Sequence, residues 1–288
     1  MTAPRQLLNL PAPAKLNLFL HILGRRSDGY HLLQSVFMLI DWQDTIDLTL
    51  TEDGRITRSQ EGADDLPADD LCTRAARALQ QATGCRYGAH IHLRKNIPMQ
   101  AGMGGGSSNA ATVLMGLNRL WGTGLSAAQL QGIGLPLGAD VPFFLFGRNA
   151  WVEGIGEKLR PIHLPPARFI VAKPSAGLAT ADIFSAPDLP RDTPATSPDS
   201  FLSSHSPYAF GRNDLQTPAE RLCPAIAEVI AWLAQYGLYA RMTGSGSTVF
   251  APLPADMDAD FLQQHAPKNC KIRVCSNLAQ HPLLQCRA

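Results

Sequence analysis

Hydrophobic and polar residues alternate near the start of the chain, from Pro13 to Ile22. Alternation with a period of two is typical of a β-strand with one buried face. The pattern predicts that Lys15 and Asn17 lie together on the open face of this strand. The opposite, buried face is predicted to hold Ala14, Leu16, Leu18, Leu20 and Ile22.

A helical pattern appears later, directly after a glycine-rich loop. Apolar residues recur at spacings of three and four from Ala110 to Trp121, and Gly122 and Gly124 follow, which predicts a helix ending near Trp121. Ser107 or Ser108 is expected to cap its start. Further helices are predicted at 71–82, from Ser126 onward, at 218–236 and around 258–265, and a short apolar helix is predicted within 138–159.

The order of the predicted elements favours an α+β fold, because strands and helices are mixed without the strict alternation that builds a parallel sheet. We expect two lobes in the 288 residues, 1–162 and 163–288. Residues 185–206 are rich in proline and serine and lack periodicity. They are predicted to form a long irregular segment, either a mobile flap or a substrate loop.

The charge balance narrows the possible partners. Lysine and arginine number 25 against 24 acidic residues, with no basic run, so the electrostatic footprint of a nucleic-acid-binding protein is missing. The chain shows neither an apolar stretch long enough to span a bilayer nor the pattern of a signal peptide. We therefore expect a cytoplasmic protein that binds small molecules, neither nucleic acid nor membrane.

The cysteines do not suggest a metal site. Six are scattered through the chain without a CxxC pair, and a chain of this size does not need disulfides to stabilise its core. We expect them to be reduced thiols. They are Cys72, Cys85, Cys223, Cys270, Cys275 and Cys286.

The glycine-rich stretch PMQAGMGGGSSNAA, from Pro98 to Ala111, is a candidate ligand-binding loop. Glycine clusters are expected where the backbone needs positive φ or must touch a ligand, and a helix start suits phosphate. The P-loop pattern fails because no lysine precedes Ser107, and the dinucleotide fingerprint fails because Ser107 stands where glycine or alanine is required. The loop therefore predicts a phosphate cradle of another kind, with a turn without ligand as the alternative.

Three separated stretches carry a family resemblance: PAKLNLFLHILGRRSDGYH, PMQAGMGGGSSNAA and RMTGSGSTVFA. In order and spacing they resemble the three motifs of the GHMP small-molecule kinases, and the likeness runs nearly from end to end. The stretches PAKLNLFL, DGYH and LGADVPFF are similar to the branch that phosphorylates a cytidine-diphosphate-linked polyol of the non-mevalonate isoprenoid route. Homoserine, mevalonate and galactose kinases share the glycine motifs but not this combination.

The resemblance implies an N-terminal nucleotide-binding lobe, a ferredoxin-like C-terminal lobe and an active site in the cleft between them. It also implies ATP as phosphoryl donor, accompanied by Mg²⁺, whose protein ligands the spacing does not identify. Phosphoryl transfer requires N–H donors, a cation and a carboxylate at the acceptor hydroxyl. The ATP-binding residues are expected to be Pro98, Met99, Gln100, Ala101, Gly102, Met103, Gly104, Gly105, Gly106, Ser107 and Ser108.

Lys15 and Asp140 are the predicted catalytic residues. Lys15 is chosen because it shares a strand face with Asn17, although a surface lysine without a role is the alternative. The resemblance places the carboxylate at Asp140, which also fits the start of a helix because Val141 and Pro142 follow.

Substrate recognition is also implied by the resemblance. Tyr30 and His31 would hold the cytosine, Phe184 would close its other face, and Asn17 would contact the substrate. Tyr30 as a turn residue and Phe184 as a core residue are the alternatives. Gly244, Ser245 and Gly246 in the stretch TGSGS would brace the phosphate region, or would form only a tight turn.

Two other functions stay open at this point. One is another GHMP kinase with a different small alcohol as substrate. The other is a nucleotide-binding regulator that has kept the fold without turnover, which the presence of Lys15 and Asp140 argues against.

Overall fold

The computed structural model of the protein describes residues 5–62 and 66–284. Its strands form two sheets, and the first two strands are unusually long. The strands are β1 (Gln6–Arg25), β2 (His31–Thr51), β3 (Ile56–Glu61), β4 (Gly88–Arg94), β5 (Ala150–Gly154), β6 (Lys158–Pro161), β7 (Arg168–Pro174), β8 (Arg241–Met242), β9 (Val249–Leu253) and β10 (Cys270–Ser276).

The helices are mostly short, and the longest follows the glycine-rich loop. The α-helices are α1 (Leu71–Thr83), α2 (Gly105–Leu120), α3 (Ala127–Gly134), α4 (Val141–Phe146), α5 (Thr180–Phe184), α6 (Pro198–Leu202), α7 (Gln216–Leu222), α8 (Ala225–Ala234) and α9 (Ala259–Gln264).

The two sheets correspond to two lobes. The first sheet has the order β3-β4-β2-β5-β6, with β1 paired to β2, and only its β3–β4 pair is parallel. The second sheet is antiparallel, in the order β10-β7-β9-β8. Within the second lobe this is the 4-1-3-2 order of a βαββαβ unit, so the expected α+β fold with a ferredoxin-like C-terminal lobe is confirmed.

Strand β1 lies at the centre of the molecule and is buried on both faces. One face packs with α1, α2 and α4, and the other packs against residues of β7 and β9 in the second lobe. Lys15 and Asn17 are therefore 4 % and 1 % exposed. The prediction that they lie on an open face is wrong, because this face is covered by α4, by the loop at Gly104 and by the turn at Thr243.

A β-bulge interrupts the alternation in β1. Asn17 lies opposite Phe37, whereas Leu20 lies opposite Ser35, so β1 contains one residue more than β2 over this stretch. Ser35 Oγ donates to the carbonyl oxygen of Phe19 within the bulge.

The bulge reverses which residues share a face. Leu20 and Ile22 pack in the helix-covered cluster, whereas Leu16 packs in the cluster between the two sheets. The prediction that Leu20 and Ile22 continue the face of Leu16 is wrong, because one inserted residue shifts every later side chain to the other face. Leu20 consequently lies on the same side as Lys15.

Two further predictions need correction. The helix expected at 218–236 is divided into α7 and α8 at Cys223 and Pro224, since proline lacks the N–H that a continuous helix would use. Residues 185–206 contain the short helix α6, and Phe201 in it is fully buried. This segment packs on the protein and is only partly irregular.

The remaining predictions on thiols and membranes have simple outcomes. Cys72, Cys85, Cys223, Cys270 and Cys275 are free thiols, as predicted, and Cys286 lies outside the described residues. No helix in the described part of the chain combines the length and apolar character that a membrane crossing needs.

Candidate active site

A cleft of about 810 Å³ separates the first lobe from the second. We call the part of it around Lys15 and the two glycine-rich turns, 98–107 and 243–246, the glycine end. The part around Phe184, with Tyr30 and His31 beside it, is the aromatic end. The predicted site residues that line the cleft are Lys15, Asn17, Pro98, Met99, Gln100, Ala101, Gly102, Met103, Gly104, Gly105, Gly106, Ser107, Asp140, Phe184, Gly244, Ser245 and Gly246.

Helix α2 begins earlier than the sequence indicated. Gly104 is its N-cap, with φ 69°, and makes no side-chain capping hydrogen bond. The capping prediction for Ser107 and Ser108 is wrong, because the left-handed backbone at Gly104 brings the chain into the helix before it reaches them. Ser108 is fully buried and donates its N–H to the Gly104 carbonyl, so it does not line the cleft.

The two glycine-rich turns touch through their backbones. A Cβ on Gly102, where φ is 67°, would overlap the Thr243 carbonyl oxygen and lie 2.8 Å from the Gly246 nitrogen. A Cβ on Gly244 would lie 2.6 Å from the Gly102 carbonyl oxygen. Glycine is required here both for the positive φ and for this close approach.

A buried ion pair fixes the entry to the loop. Lys95 Nζ lies 2.6 Å from Asp44 Oδ2 and donates to the Ile97 carbonyl at 2.7 Å. The other oxygen of Asp44 accepts from the N–H groups of Asn96 and Ile97. Sequence reasoning missed this pair, since no local pattern relates residue 44 to residue 95.

Lys15 is held at the glycine end by several groups. Its Nζ donates to Asn17 Oδ1, lies 3.5 Å from Asp140 Oδ2 and stands 4.8 Å from the centre of the Phe37 ring. Its backbone N–H donates to the Met103 carbonyl at 3.0 Å. These contacts fix the position of the ammonium group at the edge of the cleft.

Asp140 stands at the start of α4, as expected, but its carboxylate makes no capping hydrogen bond. It faces Lys15 instead, and its side chain is 30 % exposed. The capping alternative is therefore not how this side chain is used. A carboxylate paired with a lysine at the edge of a cleft can interact with a hydroxyl group that enters it.

Asn17 connects the first and third motifs. Its backbone N–H donates to Thr243 Oγ1 at 2.8 Å, and its side-chain amide donates to Ser35 Oγ at 3.0 Å. The same side chain accepts from Lys15. Stretches 226 residues apart thus meet at one position next to the lysine.

The aromatic end is more open. The rings of His31 and Phe184 are 5.1 Å apart, and Phe184 lines the cleft whereas Tyr30 and His31 do not. Tyr30 is 60 % exposed, next to the turn at Gly29. Burial lowers the pKa of His31, and the positive charges of Arg191 and Arg25 lower it further, so its imidazole is neutral at pH 7.

The cleft also contains residues that the sequence did not single out. They lie in 66–74 at the start of α1, at Lys95, at Asn109 in α2, and in 178–180 at the start of α5. No feature of composition or spacing distinguishes these residues in the sequence. Only their position in the folded chain shows that they line the cleft. Thr180 Oγ1, for example, lies 2.8 Å from Ser245 Oγ.

No group of three His, Cys, Asp or Glu side chains in the described ranges could hold a metal ion by itself. Oxygen donors are nonetheless present at the glycine end. Ser107 packs beside the segment that leads to Asp140, since a Cβ on Gly138 would lie 3.5 Å from Ser107 Oγ.

Residues 70–148 match the family described as GHMP kinases N terminal domain, and residues 202–272 match GHMP kinases C terminal. The chain is 60 % identical over 283 residues to the 4-diphosphocytidyl-2-C-methyl-D-erythritol kinase of Paracidovorax citrulli (strain AAC00-1), covering 97 % of each chain. It is 56 % identical to the enzyme of that name from Variovorax paradoxus (strain S110), covering 97 % of this chain and 98 % of the relative.

Solved structures of kinases are also similar to this chain. A crystal structure of 4-(cytidine 5'-diphospho)-2C-methyl-D-erythritol kinase is similar with a TM-score of 0.79 at 33 % identity, covering 94 % of this chain and 99 % of that one. Homoserine kinase from Cytophaga hutchinsonii is similar with a TM-score of 0.72 at 16 % identity, covering 98 % and 97 %. The second likeness concerns the fold alone.

Proposed function

The chain belongs to the 4-diphosphocytidyl-2-C-methyl-D-erythritol kinase family of GHMP kinases, and we propose that its cleft transfers the γ-phosphoryl group of ATP to the 2-hydroxyl of 4-diphosphocytidyl-2-C-methyl-D-erythritol. The protein is a phosphotransferase with an alcohol group as acceptor, in the non-mevalonate isoprenoid route. The geometry of the cleft supports the roles that we propose for individual residues.

The observation that carries the proposal is the pairing of Lys15 with Asp140 beside the start of α2. Their charged atoms are 3.5 Å apart, and both residues line the cleft together with the loop from Gly102 to Ser107. Phosphoryl transfer depends on positioning and on neutralising charge. A cation, a carboxylate and the free N–H groups of a helix start supply these requirements in one place.

The loop and α2 would bind the phosphates. The first N–H groups of a helix have no acceptor within it, and the helix dipole adds positive potential there. Gly105 and Gly106 open α2 without side chains that would block a phosphate. The turn at Gly244 packs against the backbone of Gly102 and would hold the loop before α2 in place.

Asp140 would act on the acceptor. The substrate oxygen forms a bond to the γ-phosphorus while the bond from that phosphorus to the β–γ bridging oxygen breaks, and ADP leaves. Asp140 orients the hydroxyl and takes its proton late, because the loose transition state draws electron density from the attacking oxygen. Lys15 neutralises charge on the transferred group and holds Asp140 in position.

Mg²⁺ would arrive with the nucleotide. Magnesium prefers oxygen ligands, uses one or two protein carboxylates and completes its shell with phosphate oxygens and water. The Ser107 hydroxyl, which lines the cleft at the start of α2, would offer one such oxygen, and phosphate oxygens and water would supply the others. The ion supplies charge neutralisation on the β- and γ-phosphates when bound.

The aromatic end would bind the cytosine. Tyr30, His31 and Phe184 offer aromatic faces, and stacking on such faces is favourable for a planar base. Tyr30 is exposed and adjoins a turn, so its ring is free to cover a bound base. Asn17 lies between this end and Lys15 and would contact the polyol.

The proposal is tested by measuring ADP release with MgATP and 4-diphosphocytidyl-2-C-methyl-D-erythritol, beside homoserine, mevalonate and galactose. Turnover is expected with the cytidine substrate alone. Asp140→Asn should lower kcat by roughly 10²- to 10⁴-fold, the range attributed to a positioned acid–base group. Asp199→Asn is the matched control, because Asp199 likewise lies at the start of a short helix but outside the cleft.

Other outcomes have distinct meanings. Turnover with a different alcohol would keep the GHMP kinase assignment and refute the substrate. ATP binding without turnover of any alcohol would favour the regulator. Equal activity of Asp140→Asn and Asp199→Asn would refute the role given to Asp140.

A further inference from the structure

Arg191 joins the two walls of the aromatic end. Its Nε donates to His31 Nε2 at 3.2 Å, and its Nη2 donates to the Phe184 and Ala186 carbonyls at 3.4 and 3.0 Å. Its Nη1 donates to the Leu189 carbonyl at 3.2 Å. One guanidinium group therefore contacts an imidazole on β2 of the first lobe and the backbone that carries Phe184 in the second.

The contact with His31 determines how its ring is protonated and oriented. A nitrogen that accepts a hydrogen bond carries no proton, so the neutral imidazole has its proton on Nδ1. The lowered pKa of His31 agrees with this neutral form. Arginine keeps all of its N–H donors at every physiological pH, so Arg191 can impose this arrangement permanently.

The contacts with the carbonyls hold the end of α5 and the segment that follows it, which are also fixed by the buried side chains of Ile183, Ala186 and Leu189. Helix α5 is only five residues long, and no regular element lies between it and α6. Arg191 binds carbonyls at and just after the end of α5, where a helix leaves its acceptors unsatisfied. The next anchor along the chain is Thr193, which bonds to Ile22 and Asp214.

All of these acceptors are neutral, and no carboxylate of the described chain forms an ion pair with Arg191. The planar fork of the guanidinium is therefore used for geometry rather than for charge pairing. A lysine at this position would keep the charge but could not reproduce the four directed hydrogen bonds.

We propose that Arg191 is a positioning residue that sets the separation and orientation of His31 and Phe184 before the cytosine binds. This inference rests on the proposed function, because it assigns Arg191 to the base-binding part of that site. Pre-organised walls reduce the ordering cost of binding. Loss of Arg191 therefore weakens binding of the cytidine substrate and leaves the phosphate chemistry intact.

The test compares Arg191→Met and Arg191→Lys with the unchanged protein. The KM for 4-diphosphocytidyl-2-C-methyl-D-erythritol is expected to rise roughly tenfold in both variants, the effect of about one lost hydrogen bond. The kcat at saturating substrate and the KM for ATP should stay within about twofold. Arg221→Met is the matched control, since Arg221 holds the same segment from outside through Asp188, and it should change neither constant.

A second readout does not depend on activity. The ¹⁵N chemical shifts of the His31 ring should report the Nδ1-protonated form in the unchanged protein and a mixture of forms in Arg191→Met. A KM restored by lysine would show that charge matters rather than geometry, and would overturn the proposal. So would unchanged KM values or unchanged ring shifts in Arg191→Met.

Failure of the proposed function is distinguishable from failure of this inference. Absence of turnover in the unchanged protein would overturn both. Normal turnover of the cytidine substrate, with Arg191→Met equal to Arg221→Met, would overturn the role of Arg191 alone.

Discussion

The glycine end and the aromatic end of the cleft are held by different kinds of contact. At the glycine end, backbone meets backbone: Gly102 touches Gly244 and Gly246 of the third motif, and Lys15 bonds to Met103. At the aromatic end, the walls are side chains that approach each other through Arg191. One end is set by main-chain packing and the other by side-chain hydrogen bonds from a single residue.

The difference predicts how each end responds to change. A backbone contact leaves no room for an added methyl group. Substitution of a glycine at the glycine end should therefore weaken both the stability of the fold and the binding of ATP. A side-chain contact can be removed without displacing the main chain, so substitutions at the aromatic end should affect binding of the second substrate alone. The predictions below test this contrast, in order of decreasing effect.

Among the three changes that compare the two ends, the largest effect is expected for Lys15→Met. Methionine keeps the contact with Phe37 but removes the charge that faces Asp140, and loss of one group that stabilises transition-state charge costs about 10²- to 10³-fold in kcat. Steady-state kinetics with both substrates at saturation measure this loss.

Lys271→Met is the control, because Lys271 also lies over an aromatic ring and donates to a carbonyl, but outside this cleft. A kcat equal to that of the control would contradict the role of Lys15.

A smaller effect, on stability, is expected for Gly102→Ala. The left-handed backbone and the overlap with Thr243 together should lower the free energy of unfolding by on the order of 3 kcal/mol, and the KM for ATP should rise. Urea denaturation measures the stability.

Gly132→Ala is the control. Gly132 lies in α3 with no atom near its Cβ position, so alanine there should stabilise the protein by about 1 kcal/mol. If both variants were equally stable, the backbone packing would not be what holds the glycine end.

The smallest effect is a pH dependence confined to the aromatic end. Burial, Arg191 and Arg25 lower the pKa of His31 below its ordinary value of 6.5, so the ring is neutral near pH 7 and gains a proton as the pH falls through this lowered pKa. A protonated ring cannot accept from Arg191 and is repelled by both arginines. The KM for the cytidine substrate should therefore rise at low pH, roughly tenfold at most because one hydrogen bond is lost.

The KM for ATP should not share this His31-dependent rise. His31→Gln serves as the control, because glutamine does not titrate. The pH dependence of KM in this variant therefore reports only the ionisation of the substrate and of other groups. The same rise in His31→Gln as in the unchanged protein would assign the titration to another group.

Much of this site could be predicted from short stretches of sequence. The glycine-rich loop before α2, the strand carrying Lys15 and Asn17, and Asp140 at the start of a short helix were all expected, and each lies where a local pattern or the family resemblance indicated. The burial of Lys15 was not predicted, because alternation shows which residues share a face but not what covers that face. The start of α2 at Gly105 was missed because a capping preference for serine was stronger in the sequence than the positive φ at Gly104.

Contacts between distant segments escaped the sequence altogether. Asp44 and Lys95 are 51 residues apart, and His31 and Arg191 are 160 apart. No periodicity or motif spacing relates such pairs, since they form only when lobes and strands pack. The β-bulge at Leu18 and Phe19 belongs to the same class, because it is defined by the register against β2 rather than by the residues of β1 alone.

By itself, the sequence determined the chemistry that is available: glycines that allow a phosphate to touch the backbone, a lysine, an aspartate and three aromatic or imidazole rings. The tertiary structure decided which of these groups meet. Lys15 faces Asp140 only because α2 packs on both β1 and α4, and His31 meets Phe184 only because the second lobe brings Arg191 to the start of β2. Chemical character is a property of each residue, whereas distances across a cleft arise only from the packing of the whole chain.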